Sequence, residues 1–155
     1  MIFNMDKQKL QEELKKAMLA RDELKTSVLR LLLSAINYYE IQKGGAGYQA
    51  NPDDVLSVIQ SQIKQRRDSI EQFKNAGRQE LVNKEQKELE ILQTYLPEQM
   101  SNEEIEKLVI EVIKETGAST IADMGKVMGA LNAKLKGKAD MSQVSQIVKN
   151  SLSSN

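Results

Sequence analysis

Apolar residues recur at helical spacing before residue 97 and predict four helices there. The first, over residues 6–20, carries one apolar face made by Leu10, Leu14, Ala17 and Met18. The second carries the widest apolar stripe, so we expect it at the centre of an N-terminal module. Its buried face is predicted to comprise Leu24, Val28, Leu31, Leu32, Ala35, Ile36 and Tyr39.

Residues typical of helix ends set the limits of the remaining segments. A glycine-rich loop at 44–47 precedes Asn51, Pro52 and two aspartates, which together predict the start of a third helix. A fourth helix, over residues 78–95, is expected to stop at Pro97. Ser101 and Glu104 then have the spacing of a capping box, and three shorter helices are predicted after them.

These patterns predict an all-α protein with a break in its middle. We expect an N-terminal four-helix module over residues 1–96, a hinge at 97–101 and a C-terminal three-helix bundle over 102–155. The second module is small for an independent hydrophobic core, so docking to another surface would stabilise it.

The composition limits the chemistry that the chain can perform. Cysteine and histidine are absent, which removes the thiolate nucleophile, the imidazole base and the usual nitrogen and sulfur metal ligands. We therefore expect no catalytic residue, no metal and no cofactor. No apolar run approaches the ~20 residues of a membrane span, and we expect a cytoplasmic protein without a membrane partner.

Charged side chains are expected to lie mainly on solvated helix faces. The carboxylate pairs Glu85/Glu88 and Glu111/Glu115 have lysines beside them, which favours exposed acids with ordinary pKa values. Lys64, Arg66 and Arg67 form a basic cluster that is interleaved with acids in the same way.

Residues 124–138 depart from the charge balance of the chain, which has 22 basic and 22 acidic residues. This stretch contains four lysines and no acid, and it holds Gly125 and Gly129 on one helical face. Glycine inside a helix costs about 1 kcal/mol relative to alanine, which indicates close approach by another backbone. That backbone is either a neighbouring helix of the same chain or an outside ligand such as RNA, and the residues leave both readings open.

The ordered motifs resemble the YqeY family, also called the GatB/YqeY tail-domain family. The resemblance rests on residues 123–129, 137–140 and 144–149 in the second module, and on the junction 95–105. In the first module, the residues similar to the pattern of the family are 67–70, Phe73, 76–78, Leu81, Glu85, Glu88, Leu89 and Leu92.

This resemblance implies kinship with the tail of the B subunit of glutamine-dependent aspartyl/glutamyl-tRNA amidotransferase, which helps to hold tRNA. By kinship it also implies carbon–nitrogen ligase activity with glutamine as amide donor, for which the residues provide no active site. The implied function is an accessory role in tRNA-dependent amidation, with tRNA or an aminoacyl-tRNA-related complex as partner. The alternative is a protein–protein interaction adapter with no nucleic-acid role. The binding face implied for RNA or a partner comprises Gly125, Lys126, Gly129, Lys134, Lys136, Gly137 and Lys138.

Overall fold

The computed structural model describes residues 3–154, and the all-α prediction is confirmed for them. Two 3₁₀ turns, Gly45–Gly47 and Ile121–Asp123, accompany seven α-helices in the described part. The helices are α1 Lys7–Leu19, α2 Glu23–Gly44, α3 Pro52–Asn75, α4 Gln79–Gln93, α5 Asn102–Thr116, α6 Met124–Leu135 and α7 Met141–Ser153.

The chain divides into two compact units, one ending at Leu96 and the other beginning at Pro97. The first unit contains α1 to α4 and the second contains α5 to α7. Among the described residues, no helix is both long and apolar enough to cross a membrane.

Helix α2 is central in the first unit, where it packs against α1, α3 and α4. Of the predicted stripe, Val28, Leu32 and Ile36 are buried and Leu24, Ala35 and Tyr39 are partly buried, but the prediction was wrong at Leu31. Leu31 is 52% exposed, whereas Leu29 and Leu33 lie in the core. Met18 of α1 was also expected inside and is half-exposed. Both errors have the same cause. The sequence shows which positions of a helix are apolar, but it does not show which of them a neighbouring helix covers.

The predicted helix starts before α3 and α5 are confirmed. Asn51 accepts a hydrogen bond from the backbone N–H of Asp54, and the Asp54 carboxylate accepts one from the N–H of Asn51. Ser101 and Glu104 make the same reciprocal pair before α5. These caps satisfy backbone donors that have no partner inside the helix.

Candidate nucleic-acid interface

Helix α6 has one buried and one open side in the second unit. Val127, Leu131 and Leu135 are completely buried and face α5 and α7. Gly125, Lys126, Gly129 and Ala133 are exposed on other parts of the helix surface. We call these four residues the α6 open face.

The two glycines of this face are not covered by any neighbouring part of the described chain. A Cβ atom added to Gly125 or Gly129 would have no atom of a neighbouring group within 4 Å. Close packing by another helix of the second unit therefore does not explain them. At Gly125 and Gly129 the backbone of α6 is therefore accessible from outside the unit, and these two glycines lower the stability of the helix.

The N-terminal end of α6 is fixed by Asp123. Its carboxylate accepts hydrogen bonds from the backbone N–H groups of Ser119 at 2.9 Å and Thr120 at 3.1 Å. The bond from Ser119, followed by that from Thr120, lowers the pKa of Asp123, and the charge of Lys126 contributes further. The carboxylate therefore stays ionised and holds the turn that orients the α6 open face.

The remaining predicted binding residues separate into two kinds. Lys134 and Lys136 are exposed, and the ammonium of Lys134 lies 3.3 Å from the carboxylate of Glu115. Both partners of that ion pair are exposed, so we expect it to contribute little stability and to open readily.

Gly137 and Lys138 form a structural turn instead. Gly137 is buried with φ of 74°, a conformation that favours glycine, and its carbonyl accepts a hydrogen bond from Gln99 Nε2 at 2.7 Å. The carbonyl of Lys138 accepts the N–H of Met100 at 2.9 Å. Of the predicted binding residues, Gly125, Lys126, Gly129, Lys134 and Lys136 are therefore exposed, with Lys134 on the side of α6 that faces Glu115 of α5, whereas Gly137 has a role in the turn.

Ionised groups in the first unit form clusters that sequence reasoning missed. The expectation of exposed acids at Glu85 and Glu88 is wrong for Glu88, which is 6% exposed. Arg66, expected on a solvated surface, is also buried and donates from Nη1 to the carboxylates of both Glu85 and Glu88. The partners lie on different helices, α3 and α4, so the helical spacing within one segment gives no signal of their pairing. Glu111 and Glu115 are exposed, as predicted.

A second buried carboxylate, Asp54, fixes the glycine-rich loop. It accepts hydrogen bonds from Lys43 at 2.5 Å, Tyr48 at 2.5 Å and Tyr39 at 2.9 Å. Burial alone would raise the pKa of Asp54, but the bonds from Lys43, Tyr48 and the Asn51 backbone outweigh it and hold that pKa well below its ordinary value. The cluster is fully partnered, which indicates a structural role.

An open polar cleft of about 390 Å³ lies beside the N-terminal end of α1. Its principal buried group is Glu40, which accepts hydrogen bonds from the N–H of Ala50 at 3.0 Å and from Lys7 at 2.9 Å. These two bonds, that of Ala50 first, lower the pKa of Glu40. Glu40 is therefore already paired within the protein.

Comparisons with known proteins agree with the resemblance. A family model described as Yqey-like protein matches residues 7–152. A protein of Saccharomyces cerevisiae named "Altered inheritance of mitochondria protein 41, mitochondrial" is 33% identical over 131 residues, which cover 81% of this chain and 69% of the relative. A relative of the same name from Pyrenophora tritici-repentis is 35% identical over 137 residues, or 84% of this chain and 71% of its own.

These relatives correct the expectation of a cytoplasmic protein, because their names place them in mitochondria. The expectation rested on the lack of a membrane-spanning apolar run, which does not specify a compartment. The family match extends through both units and includes the α6 open face. This chain belongs to the YqeY family.

Proposed function

We propose that this chain is an accessory RNA-binding protein that holds tRNA, or a similarly structured RNA, against the α6 open face. The observation that carries the proposal is the uncovered pair Gly125 and Gly129. Two glycines in one helix weaken it by about 2 kcal/mol relative to alanine, and no packing contact within the second unit accounts for that cost. An outside ligand that approaches the backbone closely accounts for it.

The charges around this face suit a phosphate backbone. Lys126 lies on the face, and Lys134 and Lys136 are exposed towards the C-terminal end of the helix. Residues 124–138 contain no acid, although the whole chain is neutral. Folded RNA is recognised mainly through shape, phosphates and 2′-hydroxyls, for which bare helix backbone flanked by lysines is well suited.

The resemblance to an amidotransferase tail supports tRNA as the RNA. In that setting the chain would position tRNA for an amidating enzyme and would not itself form the carbon–nitrogen bond. We assign no catalytic residue to this chain, and the ligase activity implied by kinship would belong to the partner complex.

The test compares two charge reversals of equal size. Lys126→Glu/Lys134→Glu alters the proposed site, and Lys84→Glu/Lys87→Glu alters two exposed lysines of α4 in the first unit. Binding to purified tRNA is measured at several salt concentrations. We expect the first variant to bind about tenfold more weakly or worse, with a salt slope reduced by about 0.9 for each lost phosphate contact. The α4 variant should bind nearly as wild type does.

Equal binding by both variants and wild type would refute the proposal. A protein partner at the same face is the competing outcome, since two small residues four apart also let a second helix approach closely. Affinity purification with and without ribonuclease distinguishes the two. If wild type retains a partner protein after ribonuclease treatment and the Lys126→Glu/Lys134→Glu variant does not, the adapter function is favoured.

A further inference from the structure

Met18 lies near the C-terminal end of α1 and is the most exposed methionine of residues 3–154, with 49% of its surface accessible. The other methionines of this range are partly buried and pack against the two apolar cores, and they are Met5, Met100, Met124, Met128 and Met141. Oxidation of a methionine depends on access to its sulfur, so Met18 is the methionine of this range that a dissolved oxidant reaches most readily.

Methionine is the only side chain of this protein that can undergo reversible oxidation at sulfur. The sequence contains seven methionines and no cysteine, so sulfenic acids and disulfides cannot form. Methionine sulfoxide forms in one two-electron step and is reduced again by dedicated reductases. In a buried position the new polar group disrupts packing, whereas at an exposed position its effect depends on the groups that surround the sulfur.

The group beside the Met18 sulfur is a guanidinium from the neighbouring helix. Nη2 of Arg30, an exposed residue of α2, lies 3.9 Å from Sδ of Met18 and donates to it. A thioether accepts hydrogen bonds weakly, so this contact contributes little while the sulfur is unoxidised. A sulfoxide oxygen carries partial negative charge and accepts strongly, and a hydrogen bond to it from a guanidinium is charge-assisted.

From this pair we propose that Met18 is a site of reversible oxidation by peroxide and that Arg30 binds the sulfoxide oxygen. The sulfur lone pair attacks one oxygen of hydrogen peroxide, and the S–O bond forms as the O–O bond breaks. Sulfur is oxidised by two electrons and the peroxide is reduced, its second oxygen leaving as water with both protons. An oxygen added on the side of Arg30 lies about 2.7–3.2 Å from Nη2, the range of an ordinary N–H···O hydrogen bond.

The consequence of this oxidation is a stronger link between α1 and α2. Because Met18 and Arg30 lie on different helices, the new bond joins the end of α1 to the first half of α2. Oxidation at this position should therefore stabilise the first unit, which is opposite to its effect at a methionine packed in a core. This inference concerns the first unit and is independent of RNA binding at α6.

Peptide mass spectrometry after mild treatment of the full chain with hydrogen peroxide tests the site. We expect sulfoxide at Met18 to form about fivefold faster or more than at each of the five partly buried methionines. Met1 lies outside the described residues and does not enter the comparison. Methionine sulfoxide reductases with a thiol reductant should then return Met18 to the thioether. The proposal fails if one of the five is oxidised as fast as Met18, or if the reductases leave the Met18 sulfoxide in place.

Urea unfolding followed by tyrosine emission tests the role of Arg30. In wild type, oxidation of Met18 should raise the urea midpoint by about 0.3 M, the effect of one exposed charge-assisted hydrogen bond. In Arg30→Ala, which removes the guanidinium from an exposed position, the same peroxide treatment should leave the midpoint unchanged or lower it.

Met18→Leu is the matched control for the peroxide treatment. It receives the same dose, including any oxidation at Met1, but lacks the sulfur at position 18, so its midpoint should not rise. An unchanged or lowered midpoint in oxidised wild type would overturn the proposal, as would an equal rise in oxidised Arg30→Ala or in treated Met18→Leu.

Discussion

Replacing Arg66 by methionine should destabilise the first unit strongly. Arg66 is 9% exposed and its guanidinium donates hydrogen bonds to two carboxylates, with Nη1 3.0 Å from Glu85 and in contact with the buried Glu88. At about 3 Å and an effective dielectric near 20, each pair amounts to about 5 kcal/mol of attraction. Desolvation offsets much of this in the intact cluster, and the Nε of Arg66 is buried without a hydrogen-bond partner.

The cost of the substitution comes mainly from the group that it leaves behind. Methionine keeps an apolar stem but leaves the Glu88 carboxylate buried without its cation, which costs about 3–5 kcal/mol. Arg66→Met/Glu88→Leu removes both buried charges and leaves only Glu85, whose side chain is 21% exposed and so reaches water in part. The double variant should therefore recover most of the lost stability. Lys64→Met, at an exposed position of the same helix, should change stability by less than about 0.5 kcal/mol.

Tyrosine emission during urea unfolding reports on the first unit alone. The chain has no tryptophan, and all four tyrosines precede residue 97, so the second unit does not contribute to the signal. The free energy of unfolding is obtained by linear extrapolation for each variant. A loss below about 1 kcal/mol in Arg66→Met, or a double variant no more stable than the single one, would refute this account of the cluster.

Three further predictions concern other buried groups. Tyr95→Phe should keep the stability of the first unit within about 1 kcal/mol of wild type in the same urea assay, because the buried Tyr95 hydroxyl makes no hydrogen bond of ordinary geometry in the described structure and interacts with the nearby charge of Lys25. A clear loss of stability would show that the hydroxyl is partnered in solution. Because the pKa of Asp54 is lowered in the folded state, its stabilisation is complete above pH about 4 and is lost as pH falls below that value. Asp54→Asn should therefore unfold more readily at neutral pH but show a shallower decline under acid conditions, and parallel acid profiles would contradict the assignment. Gly137→Ala should lower the melting temperature of the second unit, followed by circular dichroism, at a cost of about 1 kcal/mol or more because alanine is strained at its positive φ. An unchanged melting temperature would mean that the turn adapts.

The helix starts were predictable because their chemistry is local. Asn51 and Ser101 each form a cap with a residue three positions away, so the spacing alone determines both partners. The all-α class follows from the same kind of information, since helical periodicity is a property of short segments.

Buried charges were not predictable, because their partners are distant in the chain. Arg66 and Glu88 are separated by 22 positions, and only the packing of α3 against α4 brings them together. The exposed side of α2 was not predictable for the same reason. Leu29 and Leu31 are the same residue type, and the placement of neighbouring helices alone makes one buried and the other exposed.

The candidate site was predictable only in part. The sequence indicated that Gly125 and Gly129 share a face, but whether a neighbouring helix covers that face depends on the packing of the second unit. Gly137 has the same residue type and lies near in sequence, yet it serves a buried turn. Residue type and spacing therefore identified the region, and tertiary structure separated its open face from its turn.

The most direct test of the proposed function measures stability and tRNA binding of Gly125→Ala/Gly129→Ala and Gly125→Gln/Gly129→Gln. An added Cβ meets no neighbouring group, and glutamine is a better helix former than glycine, so both variants should melt at least as high as wild type, with a gain of up to about 1 kcal/mol for each alanine. If RNA lies against the bare backbone, the glutamine variant should bind tRNA about tenfold more weakly or worse, and the alanine variant should fall between it and wild type. Raised stability with unchanged tRNA binding in both variants would contradict the proposal that this face holds RNA.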